Sequence, residues 1–232
     1  MITVRGSDER GRGDYGWLNT RYSFSFADYH DPRHMGFGPL RVINEDHIAG
    51  GGGFPPHAHR DMEILTWIVS GALAHRDSMG NGSVIGADEL QYMAAGTGVR
   101  HSEFNASETE PVHLLQIWIV PDAAGHPPRY GQTKLAPSAA DGRLTLLAAP
   151  DGADAPIALH QDARLYLGRP AAGAVLTHAI GARRRAWLQL IRGALALNGT
   201  PLAAGDGAAV TGEETLEIAA TDAAEFLLFD MK

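Results

Sequence analysis

The chain of 232 residues contains no cysteine. That absence removes disulfides, thiolate zinc sites, iron–sulfur clusters and a cysteine nucleophile, and it fits a reducing compartment, the cytoplasm. Basic charge is in deficit, with 19 Lys and Arg against 27 Asp and Glu and a formal charge of −8. Such a chain repels a phosphate backbone, so direct nucleic-acid binding is not expected. Lysine is nearly missing, being confined to Lys134 and Lys232; the arginine excess reads as genome composition rather than as an arginine-based function. Long apolar runs are also lacking. Uncharged stretches such as Pro111 to Pro121 fall well short of the ~20 residues of a membrane helix. The first ten residues carry no apolar core of a signal peptide. No His-Glu-x-x-His, Gly-x-Ser-x-Gly or phosphate-binding loop occurs, and Gly80 to Gly86 does not fit a dinucleotide fingerprint.

What the chain does have is punctuation: 28 glycines and 13 prolines. Between them lie short runs rich in Val, Ile, Leu, Thr and Trp, such as Glu63 to Val69, His113 to Val120 and Trp187 to Ile191. This pattern predicts an all-β fold, a sandwich or a barrel. Helices should be few and short, one after Asp162 and one near Asp122. A weak internal repeat pairs Gly71-Ala72-Leu73-Ala74 with Gly193-Ala194-Leu195-Ala196, and Met93 to Gly98 with Leu202 to Gly207. It suggests two β domains of similar design, 1–125 and 126–232, joined through the Pro- and Ala-rich stretch 121–137. The C-terminal residues could cross back onto the first domain.

The chemistry concentrates in two motifs. In Gly53-Phe54-Pro55-Pro56-His57-Ala58-His59 the histidines stand at i and i+2, on one face of a strand. Some 42 residues on, His101-Ser102-Glu103 repeats that spacing. Three neutral imidazoles and a carboxylate suit one divalent transition metal, Fe, Mn, Co, Ni, Cu or Zn. Asp61 and Glu63 share strand parity with the histidines and compete with Glu103. Glu63, however, lies about 13 Å along an unbent strand from His59, which favours Glu103. His75 could line the cavity but reads better as an exposed hairpin residue; His113 reads as a packed histidine, His178 as a surface or core histidine, and Arg183-Arg184-Arg185 as a solvated turn.

The paired motifs resemble the cupin superfamily and, within it, the pirin family. Three segments carry the resemblance: Phe24 to Tyr29 through Asp31-Pro32 and Met35-Gly36-Phe37-Gly38 to Asn44; Gly53 to Glu63; and Leu90 to Glu103. It implies a bicupin, two small jelly-roll barrels with one metal, iron first among the candidates, in the N-terminal barrel. It assigns the ligand roles to His57, His59, His101 and Glu103. Bacterial pirins of this kind are similar to quercetin 2,3-dioxygenases, whereas animal members are iron-dependent transcription coregulators. The implied activity is oxidative cleavage of a flavonol-like enol with O2, with Glu103 taking the hydroxyl proton. The alternative is an iron-based redox sensor acting on a protein partner. A cupin-type sugar isomerase fits the ligands but finds no basic group for a sugar phosphate. Phe24, Phe26, Met93 and Phe104 are candidate cavity residues. Carrying the ligands across the repeat lands on Ala179, Gly181, Val210 and Gly212, so the second barrel should be structural. Two barrels covering each other's faces suit a monomer.

Overall fold

A computed structural model describes residues 1–136, 138, 140–150 and 154–232. Among these every regular element is a strand except one 3-10 turn at Ser7–Glu9. The two expected helices do not form among the described residues. After Asp162 the chain enters the strand Ala163–Gly168, where alternate residues Ala163, Leu165 and Leu167 are buried, a period of two rather than 3.6. Around Asp122 there are only bends.

The chain forms two compact units, Gly11–Ala136 and the combination of Met1–Arg10 with Pro137–Lys232. In the first, a seven-stranded sheet runs in the order β12 (Arg129–Lys134), β9 (Glu89–Ala94), β6 (Glu63–Ser70), β11 (Val112–Ile119), β4 (Leu40–Ile48), β3 (Leu18–Tyr22), β2 (Gly11–Asp14). Its four-stranded companion runs β5 (Gly53–His59), β10 (Val99–Asn105), β7 (Ala72–Asp77), β8 (Gly82–Gly86). The second unit repeats the plan. Its larger sheet is β1 (Ile2–Arg5), β20 (Gly207–Thr211), β17 (Arg185–Arg192), β22 (Glu225–Met231), β15 (Ala163–Gly168), β13 (Leu144–Pro150), β14 (Ile157–Leu159). Its smaller sheet is β16 (Val175–Ala179), β21 (Thr215–Ala220), β18 (Ala194–Leu197), β19 (Thr200–Ala203).

These units differ from a division at 125/126. Residues 129–134 pair with β9, which draws the boundary later in sequence. The N-terminal strand fills the edge of the second unit, pairing Ile2 with Val210 through Arg5 with Gly207. The C-terminal strand β22 is buried along its whole length between β17 and β15 of its own unit. The first landmark of the repeat is a true equivalence. Gly71 joins β6 to β7 and Gly193 joins β17 to β18, both at φ +78°. That left-handed conformation favours glycine, and a Cβ on Gly71 would lie 2.8 Å from the Pro111 carbonyl oxygen. The second landmark pairs a turn before β10 with a turn before β20, whereas the counterpart of β10 is β21. The Val210 and Gly212 positions therefore do not correspond to His101 and Glu103.

Leu188, Leu190, Ile218, Phe226 and Leu228 form the heart of the second unit's core, each contributing roughly 1.5–3 kcal/mol by burial. Beside them, Arg184 leaves the solvated turn that its neighbours suggest. It donates from Nε to Asp230 at 2.5 Å and from Nη1 to Asp162 at 2.7 Å, and His178 Nε2 lies 3.0 Å from Asp230. Burial alone would raise the Asp230 carboxyl, but the hydrogen bonds and charges of His178 and Arg184 outweigh it and hold it below the usual range. A depressed folded pKa stabilises fully above the unfolded value, about 3.9, and loses that effect as pH falls through the folded one. Asp230→Ala should therefore cost about 3–5 kcal/mol at pH 7, and less near pH 3. Urea denaturation at the two pH values checks this; an equal cost at both would contradict it.

Candidate metal centre

The site is built on the four-stranded sheet of the first unit, where β10 lies between β5 and β7. Pro55 and Pro56 sit inside β5. They have no N–H to give to a ladder, and β5 is an edge strand, where proline is tolerated. The register slips here: His101 faces His57, but Glu103 faces Phe54, so β5 carries one extra residue. Such a bulge re-aims neighbouring side chains. Gly53 allows the close approach that follows, since a Cβ there would lie 2.5 Å from the Glu103 carbonyl oxygen and the Phe104 Cα.

The result is a cluster of imidazoles. Ring centroids are 4.7 Å apart for His57 and His59, 4.4 Å for His57 and His101, and 4.8 Å for His59 and His101. One donor atom from each of these three lies within 4.8 Å of the others. A second group meeting the same limit joins His101 and Glu103 to His75. The His57 Nδ1–H donates to the Pro55 carbonyl at 2.9 Å, which leaves Nε2 with its lone pair. Burial, reinforced by neighbouring imidazoles, pushes His59 down to about 4 and His101 down to about 3. Both therefore remain neutral lone-pair donors.

Glu103 is 2% exposed. The Trp118 indole N–H donates to Gln116 Oε1 at 3.3 Å, so the Gln116 amide must turn its NH2 outward, to Glu103 Oε2 at 2.9 Å. Burial pushes the Glu103 carboxyl up to about 7; the Gln116 hydrogen bond opposes this and the Asp46 charge adds to it. Glu103 Oε1 and both ring nitrogens of His101 are buried without a hydrogen-bond partner. Each such atom costs about 1–3 kcal/mol, so three in one place call for a ligand. The donor set fits a divalent metal ion.

A cavity of about 510 Å³ opens on this cluster, within the ~300–1,000 Å³ of small-molecule sites. Trp17, Tyr22, Phe26, Phe54 and Trp118 give it aromatic walls; Asn44, Asp46, Gln116 and Glu103 give it polar points, and His57 and His59 also line it. Of the four expected cavity residues only Phe26 lines it. Phe24 is core, Met93 packs with Ile64 and Val99, and Phe104 is 40% exposed. The rival carboxylates are engaged elsewhere. Glu63 accepts the Tyr92 hydroxyl at 2.6 Å, and Asp61 accepts the Gly125 N–H at 2.7 Å. His113 is half-buried, with its ring against His47 and Nε2 3.0 Å from Glu45. His75 is the clearest correction: it is 1% exposed, because its strand pairs directly with β10.

Two antiparallel β units of the same jelly-roll plan, one of them gathering histidines around a buried carboxylate, define a bicupin with a donor set for one divalent metal. Residues 4–119 match the Pirin family and residues 146–231 match the quercetinase C-terminal cupin domain. The chain belongs to the pirin family. It is 45% identical over 231 residues to a quercetin 2,3-dioxygenase of Escherichia coli (strain K12), covering 100% of this chain and 99% of that one. It is 40% identical over 232 residues to a pirin-like protein of Caulobacter vibrioides, covering 99% of each. The crystal structure of the bacterial pirin YhhW from Escherichia coli in complex with nickel(II) superposes with a TM-score of 0.95 at 44% identity, over 100% of this chain and 99% of that one.

Proposed function

We propose that the protein is a cytoplasmic, metal-dependent dioxygenase that cleaves a flavonol-like enol with O2, its ion held by His57, His59, His101 and Glu103. The observation that carries this is the convergence of unpartnered buried donors, the two nitrogens of His101 and Oε1 of Glu103, beside an aromatic-walled cavity. The similarity to a quercetin 2,3-dioxygenase supports the substrate class. Iron is our proposal for the resident ion, and the nickel(II) complex of YhhW supports the binding of a divalent ion.

When bound, the metal supplies a Lewis-acidic, redox-capable centre at which an ionised enol oxygen and O2 can meet. The chain's own residues do the rest. Trp17, Phe54 and Trp118 offer faces for a planar aromatic substrate. Glu103 Oε1, which Gln116 leaves unengaged, is the oxygen that would hold the ion and, on leaving it, take the proton of the substrate hydroxyl. Gln116 holds Oε2, so the carboxylate cannot rotate away. The aromatic walls keep water from competing for that proton.

Chelated protein reloaded separately with Fe, Mn, Co, Ni, Cu or Zn should consume O2 mole for mole with the loss of quercetin absorbance, and only when metal is present. Full metal occupancy without O2 uptake would contradict flavonol cleavage and favour redox sensing through a protein partner.

A further inference from the structure

The register places a second pair of polar side chains against β10, on the flank away from β5. Asp77 faces His101 and His75 faces Glu103 across the β10–β7 ladder. Directly opposed residues project from the same face of a sheet. The His75-x-Asp77 pair therefore meets His101 and Glu103 from the flank opposite β5, whose His57 faces His101 and whose Phe54 faces Glu103. Both of its side chains are fully buried. The His75 ring centroid is 5.4 Å from that of His101. The Tyr130 ring stacks on His75 at 5.1 Å, and its hydroxyl is tied to Ser83.

The hydrogen bonds fix the tautomer. Asp77 Oδ1 accepts the backbone N–H groups of Met79 and Asn81, and Oδ2 accepts the Asn81 amide at 2.8 Å. A carboxylate so engaged is an acceptor only. The nitrogen 3.1 Å from Oδ2, His75 Nε2, therefore carries the hydrogen. His75 Nδ1 is left with a lone pair, buried and without a partner. His101 has the complementary need. A neutral imidazole that turns one nitrogen to a metal carries N–H on the other, and that N–H requires an acceptor.

We propose that His75, anchored by Asp77, is the positioning residue that accepts this N–H from His101, directly or through one water, and so fixes which His101 nitrogen faces His57 and His59. The proposal rests on the ligand set given under Proposed function. One donor atom each from His75, His101 and Glu103 lie within 4.8 Å of one another, a span that a single water bridges. Asp77, His75 and His101 then form a buried chain that ends at the metal.

The test compares wild type with His75→Phe, His75→Gln, Asp77→Asn and His101→Ala. Metal dissociation constants come from chelator competition, and histidine tautomers from 15N imidazole spectra of the zinc-loaded protein. In wild type His75 should be the Nε2–H tautomer. Asp77→Asn should invert it, because the amide NH2 now faces Nε2. Both Asp77→Asn and His75→Phe should weaken metal binding about 10- to 100-fold. His75→Gln, which keeps an acceptor oxygen, should recover to within a few-fold of wild type. Unchanged affinity in His75→Phe and Asp77→Asn, with His101→Ala abolishing binding, would overturn this inference alone. Unchanged affinity in His101→Ala would overturn the ligand set beneath it. A second equivalent of metal in wild type, lost in His75→Phe, would make His75 a ligand and overturn its positioning role.

Discussion

His101→Ala should lose tight metal binding and reduce flavonol turnover at least ~1,000-fold, a barrier increase of about 4 kcal/mol. His101 is the one residue common to both donor groups, and it stands on the central β10 with His57 opposite. Its two nitrogens are buried and unpartnered. Without metal they only cost stability, since a buried donor or acceptor left unsatisfied carries its full desolvation penalty. The metal-free variant should accordingly melt no lower than metal-free wild type, while losing the stabilisation that metal gives wild type. Calorimetry with and without added ion, beside steady-state kinetics, reads both effects. A variant that keeps metal-dependent stabilisation and turnover would contradict the assignment.

Glu103→Gln should separate proton transfer from metal loading. The substitution preserves shape and an oxygen for Gln116 to donate to, but it removes the anion. With metal saturating, kcat should fall about 10²- to 10⁴-fold, the usual worth of a positioned general base, with KM for the flavonol shifting far less. The three imidazoles should still hold the ion, more weakly. Turnover within a few-fold of wild type would remove Glu103 from the proton-transfer role.

The part of the site written locally was legible in the sequence. His57 and His59, like His101 and Glu103, are two apart, and a strand carries such pairs to one face. The prolines of β5 hid the bulge that sets their register, because it exists only once β10 is laid against it. Gln116 and Asp46 could not be read at all. They reach the cavity from β11 and β4 of the other sheet, and no sequence spacing encodes that meeting. His75 was misplaced for a related reason. The hairpin after Gly71 suggests exposure, yet its first strand is an inner member of the four-stranded sheet. The signal that could have found it was present, as a third pair at i and i+2, His75 and Asp77. The strand Ala163–Gly168 and the edge strand Ile2–Arg5 show the same limit, since both are fixed by partners in the second unit's larger sheet.

The central claim is one divalent ion held by His57, His59, His101 and Glu103. Metal analysis of the purified protein combined with X-ray absorption at the metal edge tests it most directly. The account predicts one equivalent of metal per chain, with three imidazole nitrogens and a carboxylate oxygen in its coordination shell, the metal lost in His101→Ala and the carboxylate replaced in Glu103→Gln. A protein that retains no metal, or a coordination shell unchanged by both substitutions, would contradict it.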